Sequence, residues 1–308
     1  MLFDESLTEQ GRNFGNKIWN AFRLISGWEV SESIGQPETS RLANEWFDAR
    51  LNQELASLND HFSKYRLSEA LMAAYKLFWD DFSSWYLEII KPAYQQPIDK
   101  LTRDQAMNIM EKLMLVLHPF IPFITEEIWQ HITPRNPGES VMVSPLPVAG
   151  SFNPDQIDRF ERMKEVVGFV RSVRAEHNIP VRNILSLEVK TGDAGYDKYL
   201  DPILVKLLNL ESVTEIESKS PGAASQVIRS VEYYVPLEGA IDPAAEIEKL
   251  QKELEYTLGF LDTVMKKLAN ERFVNRAPAQ VVEVEKTKMA DAEAKIRALK
   301  EQIEALGK

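Results

Sequence analysis

The sequence predicts a mainly α-helical protein with a helical bundle over residues 1–133, a small α+β domain over 155–240 and an antiparallel coiled-coil hairpin over 243–308. Three observations support this prediction. Apolar residues recur at spacings of three and four through the first part, which is typical of amphipathic helices. Five of the sixteen prolines fall within residues 134–154, which predicts a linker or an extended crossing segment without regular structure. After residue 243 a helical repeat returns.

Besides a helix near the N-terminus, the bundle is predicted to contain one long helix and two shorter ones. The long helix begins at Ser68, a candidate N-cap, and ends at Pro92. A second helix runs from near Thr102 to just before Pro119. Thr125 is the candidate N-cap of a third helix, with two glutamates in its first turn. The expected apolar face of the long helix consists of Leu71, Tyr75, Phe78, Phe82, Trp85 and Ile89.

The α+β domain is predicted from a change of pattern after the linker. A helix through Phe160 and Val170 precedes the β-like run Leu185–Lys190. A second helix is predicted over about Lys198–Leu210, and Ser225–Leu237 is rich in the Val, Ile and Tyr that strands favour. Helices and strands therefore alternate in this part of the chain.

The C-terminal part has apolar residues at the a and d positions of heptads, which indicates a coiled coil. The repeat breaks at Asn270–Pro278, and this break is too short to carry the second helix onward in parallel. An antiparallel hairpin is therefore predicted, with Thr257 and Glu285 as imperfect residues of its seam. The remaining seam residues are Ile247, Leu250, Leu254, Leu261, Val264, Leu268, Met289, Ala292, Ile296, Leu299, Ile303 and Leu306.

Composition excludes several classes of function. The chain has no cysteine, which excludes a disulfide framework, a thiol nucleophile and cysteine-ligated metal. Its four histidines are widely spaced and match no metal-ligand motif, so no metal site is predicted. No apolar run is long enough to span a membrane and the N-terminus lacks signal-peptide features, so we expect a cytoplasmic protein without a membrane partner. The net charge is −11, so binding to a polyanion must rest on a local surface.

One such surface is predicted near the N-terminus, because no acidic residue occurs from Gln10 to Trp28 although the chain has 47 acids. At 100° per residue, the cations and amides of this helix share a face about 140° wide. Such a face can hold phosphates and contact base edges, and a tryptophan can stack on an unpaired base. The alternative, which composition alone favours, is a solvated helix face with the tryptophan packed inward. The candidate residues are Arg12, Asn16, Lys17, Asn20, Arg23 and Trp28.

Three motifs in order carry a family resemblance: Gly11–Arg23 (GRNFGNKIWNAFR), Phe78–Pro92 (FWDDFSSWYLEIIKP) and Leu117–Gln130 (LHPFIPFITEEIWQ). They resemble the anticodon-binding helical bundle of class I aminoacyl-tRNA synthetases of the valine, isoleucine and leucine group. Leu268–Met289 is similar to the C-terminal arm of valyl-tRNA synthetases. The isoleucyl relatives usually end in cysteine-ligated zinc, which this chain cannot build. The segment Leu42–Leu51 keeps the tryptophan of the family's D-R-W-I-L-S pattern but lacks its arginine.

The resemblance implies tRNA as the partner. The bundle would hold the anticodon loop through the six candidate residues of the N-terminal helix, and the arm would contact phosphates at the tRNA elbow. For the cations of the arm, the alternative role of keeping a coiled coil soluble is equally consistent with the sequence. For Phe273, closing the turn between the helices is equally consistent. The arm candidates, near the hairpin tip with only Glu271 against them, are Lys266, Lys267, Arg272, Phe273 and Arg276.

The HIGH-like and KMSKS-like signatures, with which this enzyme class stabilises adenylate formation, have no match in the chain. We therefore expect no catalytic residue and no cofactor here, and no activity of the chain alone; ATP and Mg²⁺ are expected only for a catalytic domain. The implied function is to bind valine tRNA so that the catalytic domain can attach valine. The expected partners are the catalytic and editing domains of the same enzyme, and the expected state is a monomer. The alternatives are a coiled-coil homodimerisation module and a free-standing RNA-binding protein.

Overall fold

The computed structural model describes residues 5–191, 196–218, 220, 222–237, 243–269 and seven residues between 285 and 300. Most of them are helical, so the prediction of a mainly α protein is confirmed. The chain forms two compact units, and the domain boundaries drawn from the sequence stay a prediction. The first unit contains Met1–Arg171, Ile184–Lys219 and Ser225–Val235, and the second contains Ser172–Asn183, Ser220–Ala224 and Pro236–Lys308.

A bundle of helices makes up most of the first unit. Its first helix packs its apolar face, with Phe14, Ile18 and Ile25 buried, on neighbouring helices. Two short parallel strands, β1 (Val30–Ser31) and β2 (Ile98–Asp99), pair between the helices. The helices from Glu5 to Glu176 are α1 (Glu5–Ser26), α2 (Glu38–Ser63), α3 (Leu67–Lys76), a π-helical stretch (Leu77–Tyr86), α4 (Leu87–Ile90), α5 (Lys100–Leu117), α6 (Pro122–Ile132) and α7 (Pro154–Glu176), of which α7 extends past Arg171, the last residue of this segment of the first unit.

The predicted N-cap at Ser68 is wrong, because of the geometry of the turn between α2 and α3. Tyr65 has a φ of 57°, and the backbone N–H of Arg66 donates to the carbonyl of His61 at 2.9 Å. This left-handed residue reverses the chain directly after α2, so α3 begins at Leu67 and Ser68 lies inside it.

The long helix does end just before Pro92, as predicted, but its buried face differs from the α-helical expectation. Ala70 and Ala74 are buried, whereas Leu71 is 39% exposed. Buried residues then recur at a spacing of four through Phe78, Phe82 and Tyr86. In an α-helix each step of four overshoots a full turn by about 40°. The wider turns of the π-helical stretch offset this drift and keep the aromatic residues on one face.

Two predicted helix starts near α5 and α6 move by a few residues. Helix α5 begins at Lys100 because the Asp99 carboxylate accepts a hydrogen bond from the Thr102 backbone N–H at 2.8 Å. The predicted cap at Thr125 is wrong, because α6 begins at Pro122, whose fixed φ suits a first helical position. Thr125 is buried within α6, and its hydroxyl donates to the Ile121 carbonyl at 3.0 Å.

The proline-rich segment, which the structure describes throughout, contains no strand and no helix before α7, apart from a short 3-10 turn at Val141–Val143. Glu126 holds this segment, because its carboxylate accepts hydrogen bonds from the Ser140 hydroxyl at 2.8 Å and from the Val141 backbone N–H at 3.0 Å. Partial burial opposes ionisation of Glu126. These bonds, with one from Gln130, outweigh that effect and lower its pKa.

A four-stranded sheet lies almost wholly in residues of the first unit. Its strands, in spatial order, are β4 (Leu210–Glu215), β3 (Leu185–Lys190), β6 (Val231–Val235) and β5 (Ala224–Ile228). Strand β3 alternates buried and half-buried residues, and its bounds are those predicted for the β-like run. The predicted helix over Lys198–Leu210 is shorter: α8 (Asp201–Leu208) ends at the left-handed Asn209, and Leu210 opens a strand that the sequence analysis did not identify.

The α7 helix, which precedes the sheet, is fixed to the bundle by aromatic and ionic contacts. The rings of Trp46 and Phe160 stack with centroids 3.5 Å apart. Beside them Asp81, which is 3% exposed, accepts from Lys164 Nζ at 2.8 Å and from Arg50 Nε at 2.9 Å. These contacts join α2, the π-helical stretch and α7 in a single core.

In the second unit, α9 (Pro243–Ala269) is the long element. Thr257 and Val264, one heptad apart on α9, are buried, as are Glu285, Ala292 and Ile296. The predicted antiparallel coiled-coil hairpin stays a prediction, because most of its second helix lies outside the described residues.

Candidate nucleic-acid interface

The predicted polar face of α1 lies beside the helix that runs through α3 and the π-helical stretch. The ring of Phe14 contacts that of Tyr75 at 4.8 Å, and Lys17 Nζ lies 3.8 Å from the ring centroid of Trp79. Since the contacts advance together along both helices, the two helices run side by side in the same direction. Their adjoining faces leave a groove between them.

This groove has a volume of about 340 Å³, within the range of small-ligand sites. One wall belongs to α1, and the other belongs to the end of the π-helical stretch and to α4. Apolar side chains form part of both walls. The lining residues are Asn13, Asn16, Lys17, Asn20, Ala21, Leu24, Ser83, Leu87 and Glu88.

Three asparagines along α1 supply most of the polar atoms of the groove. Asn13, Asn16 and Asn20 are exposed, and their side-chain amides have no hydrogen-bond partner among the described residues. Each amide offers both donors and an acceptor. The groove can therefore form several hydrogen bonds with a polar ligand without breaking bonds within the described part of the protein.

The cations of this face differ in availability. Arg23 is exposed and makes no ion pair within the part of the chain that the structure describes. Arg12 lies 3.6 Å from Glu9, in a pair whose side chains are about two-thirds exposed. Lys17 is half-buried and donates to the Trp79 carbonyl at 3.4 Å. Desolvation lowers the pKa of Lys17, and the nearby Asp80 carboxylate partly offsets this.

Trp28 and Leu24 complete the face. Trp28 lies two residues beyond the end of α1 and is half-buried. Leu24, which interrupts the polar pattern in the sequence, is 39% exposed and lines the groove. The polar face of α1 is thus largely exposed, apart from Lys17, which packs on Trp79 of the neighbouring helix.

Sequence reasoning missed the wall opposite α1, which includes Ser83, Leu87 and Glu88. On an α-helical projection Ser83 and Glu88, five residues apart, are separated by about 140°. The wider turns of the π-helical stretch bring them onto one side. The sequence signal for this geometry is the spacing of four between Ala70, Ala74, Phe78, Phe82 and Tyr86, all of which are buried.

The arm candidates are described only in part. Lys266 Nζ lies 2.6 Å from Asp262, and Lys267 Nζ lies 3.9 Å from Glu285. Two acids therefore oppose these cations, besides the one that the sequence analysis counted. Arg272, Phe273 and Arg276 lie outside the described residues.

The described part of the chain contains no group of three or more histidine or acidic side chains placed to hold a metal ion. None of its helices combines the length and apolar character that a membrane crossing requires.

Comparison with known proteins gives two family matches. Residues 44–189 match the anticodon-binding domain of tRNA ligases, and residues 242–307 match the tRNA-binding arm of valyl-tRNA synthetase. The helical bundle and the first match place the chain in the class of tRNA ligases that carry an anticodon-binding domain.

Curated relatives specify the family. Valine–tRNA ligases of Parabacteroides distasonis and Phocaeicola vulgatus are each 51% identical to the chain, over 99% and 100% of its length, and that of Christiangramia forsetii is 47% identical over 99%. The chain belongs to the valine–tRNA ligase family and corresponds to the C-terminal portion of its members. It spans 35% of the length of these relatives.

Proposed function

We propose that this chain is the tRNA-recognition part of a valine–tRNA ligase, with the anticodon loop of valine tRNA bound at the α1 groove. The observation that supports this most strongly is the exposed, acid-free face of α1. Its asparagine amides have no partner in the described part of the chain, although the protein as a whole carries a charge of −11. An anticodon loop supplies unpaired bases for the amides and phosphates for the flanking cations.

The flanking residues divide this task. Arg12 and Arg23 stand on the exposed side of α1, where they can hold the sugar–phosphate backbone. Lys17 is the cation inside the groove, and its position over Trp79 fixes its charge beside the bases. Trp28 offers part of its ring for stacking.

The arm is proposed to steady the body of the same tRNA as an antiparallel coiled-coil hairpin. The ion pair between Lys267 and Glu285 supports a hairpin, because it joins residues on opposite sides of the predicted tip. Burial of Thr257 and Val264, seven residues apart, supports a seam with a heptad period. Lys266 and Lys267, with the three tip residues Arg272, Phe273 and Arg276, are the proposed contacts.

Attachment of valine is assigned to the catalytic domain, which uses ATP and Mg²⁺, with the editing domain as a further partner of this chain. The chain itself supplies no catalytic group and no cofactor in this proposal, acts in the cytoplasm and is a monomer. Binding at a distant anticodon can help to orient the acceptor end of the tRNA at the reacting centre.

The test measures the affinity of the chain for valine tRNA and for the same tRNA with a substituted anticodon, over a series of salt concentrations. We expect tighter binding of valine tRNA than of the substituted tRNA. The magnitude of the slope of log K against log salt should decrease by about 0.7–0.9 for each phosphate contact that is lost. Equal affinity for both RNAs at every salt concentration would refute the anticodon role. Light scattering tests the competing dimer function: a dimer that loss of the arm abolishes would favour a homodimerisation module.

A further inference from the structure

We infer that Glu88 is a specificity-determining residue of the α1 groove, which selects an unpaired base that carries an exocyclic amino group. This inference rests on the proposed function. It starts from a chemical mismatch: the groove proposed for RNA includes a carboxylate among its walls. A carboxylate repels phosphate, so its presence requires a different ligand atom.

Glu88 pairs with a neighbouring lysine but can still accept further hydrogen bonds. Lys91 Nζ lies 3.1 Å from Glu88 Oε2, and both side chains are about half exposed. A carboxylate can accept about four hydrogen bonds through its two oxygens, so one ammonium does not saturate it. Glu88 therefore presents acceptor positions to the groove, and Lys91 partly offsets its negative charge.

The other polar groups of the groove do not discriminate between bases as a carboxylate does. The amides of Asn13, Asn16 and Asn20 and the hydroxyl of Ser83 can each donate or accept, so they suit any base edge. Among the described residues that line the groove, Glu88 alone has a polar group that only accepts. It favours the amino groups of cytosine, adenine or guanine and disfavours the carbonyl oxygens of uracil.

The shape of the groove favours a base over a phosphate as its occupant. Leu24, which is 39% exposed, offers apolar surface to a flat aromatic ring, and the buried Ala21 and Leu87 lie beneath the groove. Lys17, the one cation among the described lining residues, is already engaged with the Trp79 ring and carbonyl. Phosphates are better served by Arg12 and Arg23 outside the groove, so backbone binding and base selection occupy separate parts of the surface.

The experiment compares the full chain with its Glu88→Gln variant. The RNAs are transcripts of valine tRNA in which each anticodon base that carries an amino group is replaced, one at a time, by uridine. For the unaltered chain we expect one replacement to weaken binding by about 5- to 150-fold, the range for one good base contact. Glu88→Gln should reduce this preference to within about twofold, because a glutamine amide can donate to a carbonyl as well as accept.

The matched control is Glu211→Gln, which removes the same charge from an exposed position on β4 that does not line the groove. It should keep the full preference for the unaltered anticodon over its uridine replacements. The control therefore distinguishes a general gain in RNA affinity, caused by the loss of a negative charge, from a loss of base selection. Circular dichroism of both variants checks that they fold.

The outcomes separate the two claims. If the unaltered chain distinguishes no anticodon substitution, the proposed function fails and this inference fails with it. If the unaltered chain distinguishes uridine replacements and Glu88→Gln distinguishes them equally well, only the role of Glu88 is refuted. A preference lost in Glu88→Gln and kept in Glu211→Gln supports it.

Discussion

Replacing Asp81 with asparagine should destabilise the protein strongly, because this carboxylate joins two cations in the core. Breaking a buried ion pair by removing one partner costs about 3–5 kcal/mol. In the variant, Arg50 still forms an ion pair with Glu54 at 3.1 Å, and Lys164 still forms one with Glu161 at 2.9 Å. We therefore expect a loss of unfolding free energy at the lower end of this range, about 3 kcal/mol. At about 2–4 °C per kcal/mol for a unit of this size, Tm should fall by roughly 6–12 °C.

Thermal unfolding followed by far-UV circular dichroism measures this change. The matched control is Asp60→Asn, because Asp60 pairs with Lys64 at 2.5 Å on the surface, where both side chains are half exposed. It should leave Tm almost unchanged. Adding Lys164→Met to Asp81→Asn should restore part of the lost stability, since one unpaired cation is removed. A Tm change for Asp81→Asn no larger than that of the control would refute a buried, energetically coupled cluster.

Two further predictions concern the surface and pH. Arg23→Glu should weaken valine tRNA binding more than Arg12→Glu, because Arg12 already forms an ion pair with Glu9. Each substitution should reduce the magnitude of the slope of log K against log salt by at least about 0.7. A larger loss of affinity for Arg12→Glu would contradict the roles inferred from their pairing. Glu126→Gln should lower Tm by a few degrees at neutral pH through loss of the ionised acceptor of Ser140. Since the folded-state pKa of Glu126 lies below its ordinary 4.5, its stabilisation is complete above that pH and is lost as pH falls through the folded pKa. The Tm gap should therefore close in acid, and a constant gap would contradict this assignment.

The polar face of α1 could be predicted from the sequence because it depends on one regular helix. An α-helical projection separates Ile18 from Arg23 without any tertiary information, and the structure buries the first and exposes the second. The family resemblance was likewise readable, because it rests on ordered motifs.

The opposite wall could not be predicted, because it depends on π-helical turns that a period of 3.6 does not describe. Strand β4 was missed for a related reason. Its start is set by the left-handed conformation of Asn209, which ends α8 and which residue type alone does not specify. The ion pairs of Asp81 join it to residues 31 and 83 positions away in the sequence, so no local pattern indicates the cluster.

The π-helical stretch also sets the direction in which the residues after it point. If the residues of Leu77–Tyr86 adopted α-helical turns instead, each would turn the chain by about 100°, which is more than a residue of the wider turns contributes. The segment that follows would then rotate about the helix axis, and Leu87 and Glu88 would turn away from α1. The type of helix in the middle of this element thus determines the angular position of a wall that lies beyond it.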